Sequence, residues 1–239
     1  MLLVIDYWEV SNLKVRYNMS KNKKIVFEII ISLISVFILV YSLNCFNKYI
    51  LINLSLITRM ILMPIMYWLI AIVPVIICIK NKNKLTDIGF SKNKILKQII
   101  IGIVIAFIMS LLFTLIPILI FGKENTYTGY NFKYIWQYIY QFVYLIFGVS
   151  LTEEFIFRGY LLNNFKKINN NQIDSIIKTS LLFGLFHIFI GNIVQVIGTS
   201  FIGLIFALCR EKIKNCSLLS IIIAHGIYDW LIVLLTSIL

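Results

Sequence analysis

TSLLFGLFHIFIGNIVQVIGTSFIGLIFALC, residues Thr179 to Cys209, runs for 31 positions with no charge except what His187 can carry. A helix needs ~20 apolar residues to cross a bilayer, so this run is one very long helix or two short ones. Gly191-Asn192 near its middle is a turn signal. The loops on either side are both basic, Lys166 and Lys167 before it and Arg210, Lys212 and Lys214 after it. If both face one side of the membrane, an even number of crossings separates them, which selects two helices.

Outward from this run the same pattern repeats. Apolar stretches lie at Ile25–Leu43, interrupted only by Glu28, at about Leu56–Ile79 with Pro64 and Pro74 inside, at Ile99–Phe121, at about Ile135–Arg158, and at Leu218–Leu239. Prolines are tolerated within spans because neighbouring helices or side chains satisfy the freed carbonyls. The expected fold is an all-α, polytopic membrane helical bundle of about seven transmembrane helices. Composition agrees: of 239 residues 60% are hydrophobic and 13% charged, and mean hydropathy is +0.93. Soluble domains sit nearer half apolar and a quarter charged, and disordered chains lack so much Ile, Leu, Val and Phe.

The net charge of +12 lies in short runs between the apolar stretches, as lipid-facing and topology-setting cations do, so it indicates membrane lipids and no nucleic acid. Lys and Arg number five in residues 1–24, six in 80–98, three in 159–178 and three in 210–216, seventeen on one side. Lys48, Arg59, Lys123 and Lys133 make four on the other. The count predicts a cytoplasmic N-terminus and an extracellular C-terminus, with residues 1–24 a cytosolic tail and 25–239 the membrane domain. No cleavable signal peptide is expected, because the apolar run Met1–Ile5 is short and meets Asp6 and Glu9. Cys45, Cys78, Cys209 and Cys216 form no CxxC pair and suggest neither a disulfide framework nor a thiolate zinc site. High Ile, Asn and Lys content with short loops points to a bacterial plasma membrane.

Ionisable groups inside spans are costly and mark functional sites by default. Glu153 and Glu154 precede Arg158 in TEEFIFR, where Glu154 and Arg158 form an i,i+4 pair and Glu153 is left a quarter-turn away. His187 follows Phe183 by one turn, and His225 precedes Asp229 by one turn. Each alone reads as a helix-bridging polar contact. Together, three acids, two histidines and one arginine are cheaper as one cluster than as separate buried charges. Glutamate can take a proton from water, and histidine can polarise a carbonyl or bind a metal. No HExxH or GxSxG occurs, which removes the standard soluble metalloprotease and serine hydrolase.

EExxxR at 153–158, FxxxH at 183–187 and HxxxD at 225–229 resemble, in order and spacing, the CPBP family. That family contains the CAAX prenyl endopeptidases of the Rce1 type and the bacterial Abi and bacteriocin-immunity proteins. The resemblance covers roughly residues 85–239, and Asp87-Ile88-Gly89-Phe90 looks like the short loop that often precedes the core. The last motif commonly ends in Asn, and this chain has Asp229. The resemblance implies an intramembrane endopeptidase acting on a membrane-associated peptide or protein. Glu153 with His187 would activate water, His225 with Asp229 would hold the oxyanion or a metal, and Glu154 and Arg158 would orient the site beside Phe183. The chemistry is either zinc-dependent, with Glu153, His187 and His225 as ligands, or metal-free. The alternative is a non-catalytic scaffold, an immunity or regulatory protein that binds a peptide or sensor.

Helical rise sets the expected depths. With the fourth helix ending near Arg158, Glu153 is ~8 Å from the cytosolic end, His187 ~15 Å and His225 ~12 Å. The sequence therefore predicts one polar cavity in the cytosolic half, opening to the cytoplasm or the inner leaflet.

Overall fold

A computed structural model describes residues 7–122, 132–169, 171–189 and 191–238, with 7–20 by their backbone course only. Met1–Asp6 of the expected tail, and Lys123 of the loop after the third span, lie outside them. The elements are helices: α1 (Tyr7–Tyr49), α2 (Leu56–Ile70), α3 (Ile72–Lys80), α4 (Ile95–Phe121), α5 (Ile135–Asn169), α6 (Gln172–Phe186), α7 (Ile193–Lys212) and α8 (Leu218–Ile238). No strand occurs among the described residues, and the all-α membrane bundle read from hydropathy is the fold observed.

Five of these, α1 from Lys21 onward, α4, α5, α7 and α8, are long and apolar enough to cross a membrane, and the pair α2–α3 makes a sixth. That pair bends by 49° at Ala71. Pro74 explains the position: its ring displaces the carbonyl of Ile70 and it offers no amide to bond it. The seventh expected span, α6, has only 15 helical residues, short of the ~20 a bilayer requires. It is prolonged by a 3-10 turn, His187–Phe189, whose Phe189 carbonyl accepts from Asn44 Nδ2 at 2.6 Å, five residues before α1 ends. Asn171 caps the start of α6 through the amides of Ile173 and Asp174, and at the Gly191-Asn192 break Asn192 caps the start of α7 through that of Gln195.

One boundary differs from expectation. The fourth apolar helix does not end near Arg158 but continues as α5 to Asn169, taking in much of the stretch read as a polar loop. Leu162 and Asn164 are buried while Lys166 and Lys167 stay at the surface, so this last part is an amphipathic helix that hydropathy alone does not see.

Close helix approach rests on small residues, as in membrane bundles generally. A Cβ on Gly102 would lie 2.5 Å from the Ser220 carbonyl where α4 meets α8, and one on Gly184 would lie 2.5 Å from the Val196 carbonyl where α6 meets α7. At the end of the bundle carrying the basic loops, residues 87–90 fold over the helix ends. Gly89 accepts the Leu218 amide at 2.9 Å and has φ +95°, and Arg210 lies against it. Gly89→Ala should therefore cost about 1–3 kcal/mol, since alanine is strained at that φ and its Cβ would strike the Arg210 guanidinium. Gly198→Ala, where the added carbon meets nothing within 4 Å, is the control expected to hold or raise stability. Thermal unfolding of both variants in detergent checks the pair, and equal melting points would remove the loop's structural role.

Candidate active site

Leu151–Glu154 is a single α-helical turn set between two π-helical stretches, Tyr144–Ser150 and Phe155–Leu161. Such turns add a residue to the helical register and recur at functional sites. Here they direct both Glu153 and Glu154 inward, 2% and 0% exposed, and bury Arg158 with them. The i,i+4 pair forms: Arg158 Nη1 donates to Glu154 Oε1 at 2.9 Å. Nη2 of Arg158 donates to the Gly203 carbonyl on α7 at 3.0 Å, and its guanidinium stacks on the Phe183 ring at 4.2 Å. Burial of a charge on this scale requires such complete pairing.

Glu154 Oε1 also accepts from His225 Nδ1 at 2.8 Å, so one oxygen joins α5 to α8. Nε2 of His225 lies 3.2 Å from Asp229 Oδ2 and 4.0 Å from Glu153 Oε2, the latter beyond hydrogen-bond reach. Oε2 of Glu153 is buried with no hydrogen-bond partner. His187 lines the same cavity without joining this network. Its Nδ1 bonds the Phe183 carbonyl at 2.9 Å, and since a carbonyl only accepts, Nδ1 carries the hydrogen and a neutral ring offers Nε2 as an acceptor. Phe183 separates the histidines, its ring centre 5.0 Å from His187 and 5.9 Å from His225. Five of the candidate residues, Glu153, Glu154, Arg158, His225 and Asp229, thus form one cluster, and His187 stands beside it.

The cavity holding them is about 490 Å³ and is lined by Glu153, Phe183, His187, His225 and Asp229 and by the amides of Asn44, Asn47, Gln141 and Gln195. The latter group sits near the ends of α1, α5 and α7 that face away from the basic loops. By the helix positions of its lining residues, the cavity extends from Glu153 toward the end opposite the basic loops. Arg158, Leu161, Leu162 and Leu218, each 1% exposed or less, fill the basic end, and residues 87–90 cover it.

The three ligands that the resemblance would give a zinc ion, Glu153, His187 and His225, line one cavity. Among the described residues no three His, Cys, Asp or Glu side chains come together to hold an ion. Both His225 nitrogens face carboxylate oxygens, Nδ1 that of Glu154 at 2.8 Å and Nε2 that of Asp229 at 3.2 Å.

Residues 135–231, from the start of α5 into α8, match the family model described as Rce1-like, type II CAAX prenyl endopeptidase. The matched stretch is an Rce1-like domain. Neither a curated protein nor a solved structure matches the chain. The family supports a CAAX-type intramembrane protease as the general class. The Rce1-like domain contains every candidate site residue and leaves outside it α1–α4 and residues 87–90. Within the domain, sequence reasoning missed Gly203, whose carbonyl holds Arg158, and Phe206, whose ring lies 5.4 Å from that of His225. No charge or spacing marks either residue. Only the absence of a side chain at 203 hinted at a close approach, and a Cβ there would meet Phe183 at 2.9 Å.

Proposed function

We propose that the chain is an intramembrane endopeptidase that hydrolyses a peptide bond by a glutamate-activated water, in a multi-pass protein of a bacterial plasma membrane with its N-terminus cytoplasmic. The observation that carries this reading is the unpartnered, buried Oε2 of Glu153 opening onto a cavity 4.0 Å from His225 Nε2. A water between them would lie within hydrogen-bond reach of both. Glu153 takes one proton of that water as its oxygen attacks the carbonyl carbon. The N–H at Nε2 of His225, which faces Asp229 Oδ2 at 3.2 Å in the resting site, then serves the developing oxyanion. Nε2 of His187 accepts from the same water and holds its orientation. As the C–N bond breaks, Glu153 returns the proton to the leaving amine, and the products are an acid and an amine. Arg158 and Glu154 act by position: they fix His225 through Nδ1 so that Nε2 points into the cavity.

Asp229→Asn preserves an acceptor for Nε2 of His225 and restores the residue that the resembled family commonly carries. Cleavage is expected to hold or to rise. A dead but folded variant would show that the second charge is needed.

The deciding experiment compares the peptides and proteins of membranes carrying the parent protein with those carrying Glu153→Ala. A precursor should accumulate and its product disappear in the variant. An unchanged membrane proteome would favour the non-catalytic scaffold.

A further inference from the structure

Each π-helical stretch of α5 returns to ordinary helix by passing over one carbonyl. The Leu151 amide donates to the Ile146 carbonyl and the Leu162 amide to the Phe157 carbonyl, both five residues back. The α-helical turns that follow bond four residues back, so Thr152 reaches Gly148 and Asn163 reaches Gly159. The carbonyls of Phe147 and Arg158 are left without a backbone amide. Away from water such a group needs another donor. Both have one, and each comes from a different helix. Trp68 Nε1 on α2 donates to the Phe147 carbonyl at 2.7 Å, and Arg210 Nη1 on α7 donates to the Arg158 carbonyl at 2.5 Å.

Trp68 lies twelve residues from either end of the α2–α3 span, Leu56–Lys80. Tryptophans that anchor a span sit at its interfaces instead, and an indole N–H at mid-span needs an acceptor. The charge of Arg210 is met by Glu211, with Oε1 3.6 Å from Nη1, so neutralisation alone does not call for the Arg158 carbonyl. The two acids lie between these points. Closing either π turn to ordinary helix would drop one residue from the register, about 100° of rotation for what lies beyond it. Glu153 would then turn from the cavity, and Glu154 could not meet Arg158 and His225 together.

Resting on the protease reading of Glu153, we propose that Trp68 and Arg210 are positioning residues, which hold the two π turns from α2 and α7 and so keep the paired glutamates aimed at the catalytic water and at His225. Trp68 lies outside the Rce1-like domain, so a helix before that domain serves its site. The test reads backbone, site and rate in the full chain. Arg158-Gly159 is the one Arg-Gly peptide of the sequence, and Phe147-Gly148 is one of three Phe-Gly peptides. Carbonyl-carbon and amide-nitrogen labelling of these residue pairs therefore gives few signals by NMR in detergent. With two histidines in the chain, the ring nitrogens of His225 are read beside those of His187. Trp68→Phe removes the N–H and keeps an aromatic ring. It should move one Phe-Gly carbonyl signal upfield and shift His225 Nδ1, while His187 and the melting point stay near the parent's. Arg210→Met should do the same to the Arg-Gly signal and to His225, with Glu211 still held by Lys166. Arg210→Lys, which restores one donor, should recover part of both. Precursor cleavage in membranes should slow about tenfold to a hundredfold in Trp68→Phe and Arg210→Met, as small misplacements of a reacting group do. Carbonyl signals that stay put, or a His225 that stays with the parent when they move, would overturn the proposal. Loss of the fold in Trp68→Phe would overturn it too, by making the bond a structural one, as would parental cleavage where Glu153→Gln is dead. Normal cleavage by Glu153→Gln instead removes the catalytic assignment, and the labelled signals still decide whether the two donors hold the turns.

Discussion

Glu153→Gln should abolish cleavage while leaving the protein inserted and folded. Losing a positioned general base costs about 10²–10⁴ in rate. The fold should not notice: Glu153 Oε2 has no hydrogen-bond partner within the protein, so an amide of the same shape breaks no bond there. Its neighbour behaves in the opposite way. Glu154 Oε1 holds both Arg158 and His225, so Glu154→Gln weakens two charge-assisted contacts and should lower stability as well as activity. Adjacent carboxylates thus separate rate from stability, and a thermal melt beside a mass-spectrometric count of precursor distinguishes them. His187→Ala should also lose most activity with an unchanged melt, since its single hydrogen bond is to a carbonyl one turn back. Near-normal cleavage in Glu153→Gln would place water activation elsewhere.

The sequence carried the class of fold because the bilayer forces it: only helices or closed barrels satisfy backbone groups in lipid, and ~20-residue apolar runs are visible without alignment. It also carried which ionisable residues were out of place, and their i,i+4 spacings, because helical geometry is local. What depended on contacts between distant segments was not legible. Leu161, Leu162 and Leu218 are fully buried plugs, yet in sequence they look like any lipid-facing leucine. The end of α5 was misplaced because hydropathy falls at Arg158, while the helix continues on one buried face to Asn169. The π-helical turns around Glu153 leave no mark on the apolar pattern, since each shifts the register by one residue among mostly apolar neighbours.

Arg158→Leu is expected to have the largest effect on stability, about 3–5 kcal/mol, because it strands the buried Glu154 carboxylate. Arg158 is 1% exposed and meets three partners from three helices: Glu154 on α5, the Gly203 carbonyl on α7 and the Phe183 ring on α6. Arg158→Lys should rescue little, since one ammonium lacks the planar fork that reaches Glu154 and Gly203 together and the flat face that stacks on Phe183. Glu154→Leu combined with Arg158→Leu should recover part of the loss, as a buried ion pair replaced by apolar side chains is often neutral. Recovery stays incomplete because His225 Nδ1 then loses its acceptor. The coupling, measured from melts of the two single variants and the double variant, should fall within about 0.5–3 kcal/mol. If Arg158→Leu melts with the parent, the guanidinium does not hold the three helices together, and the orientation of His225 must come from packing against Phe206 and Phe183 instead.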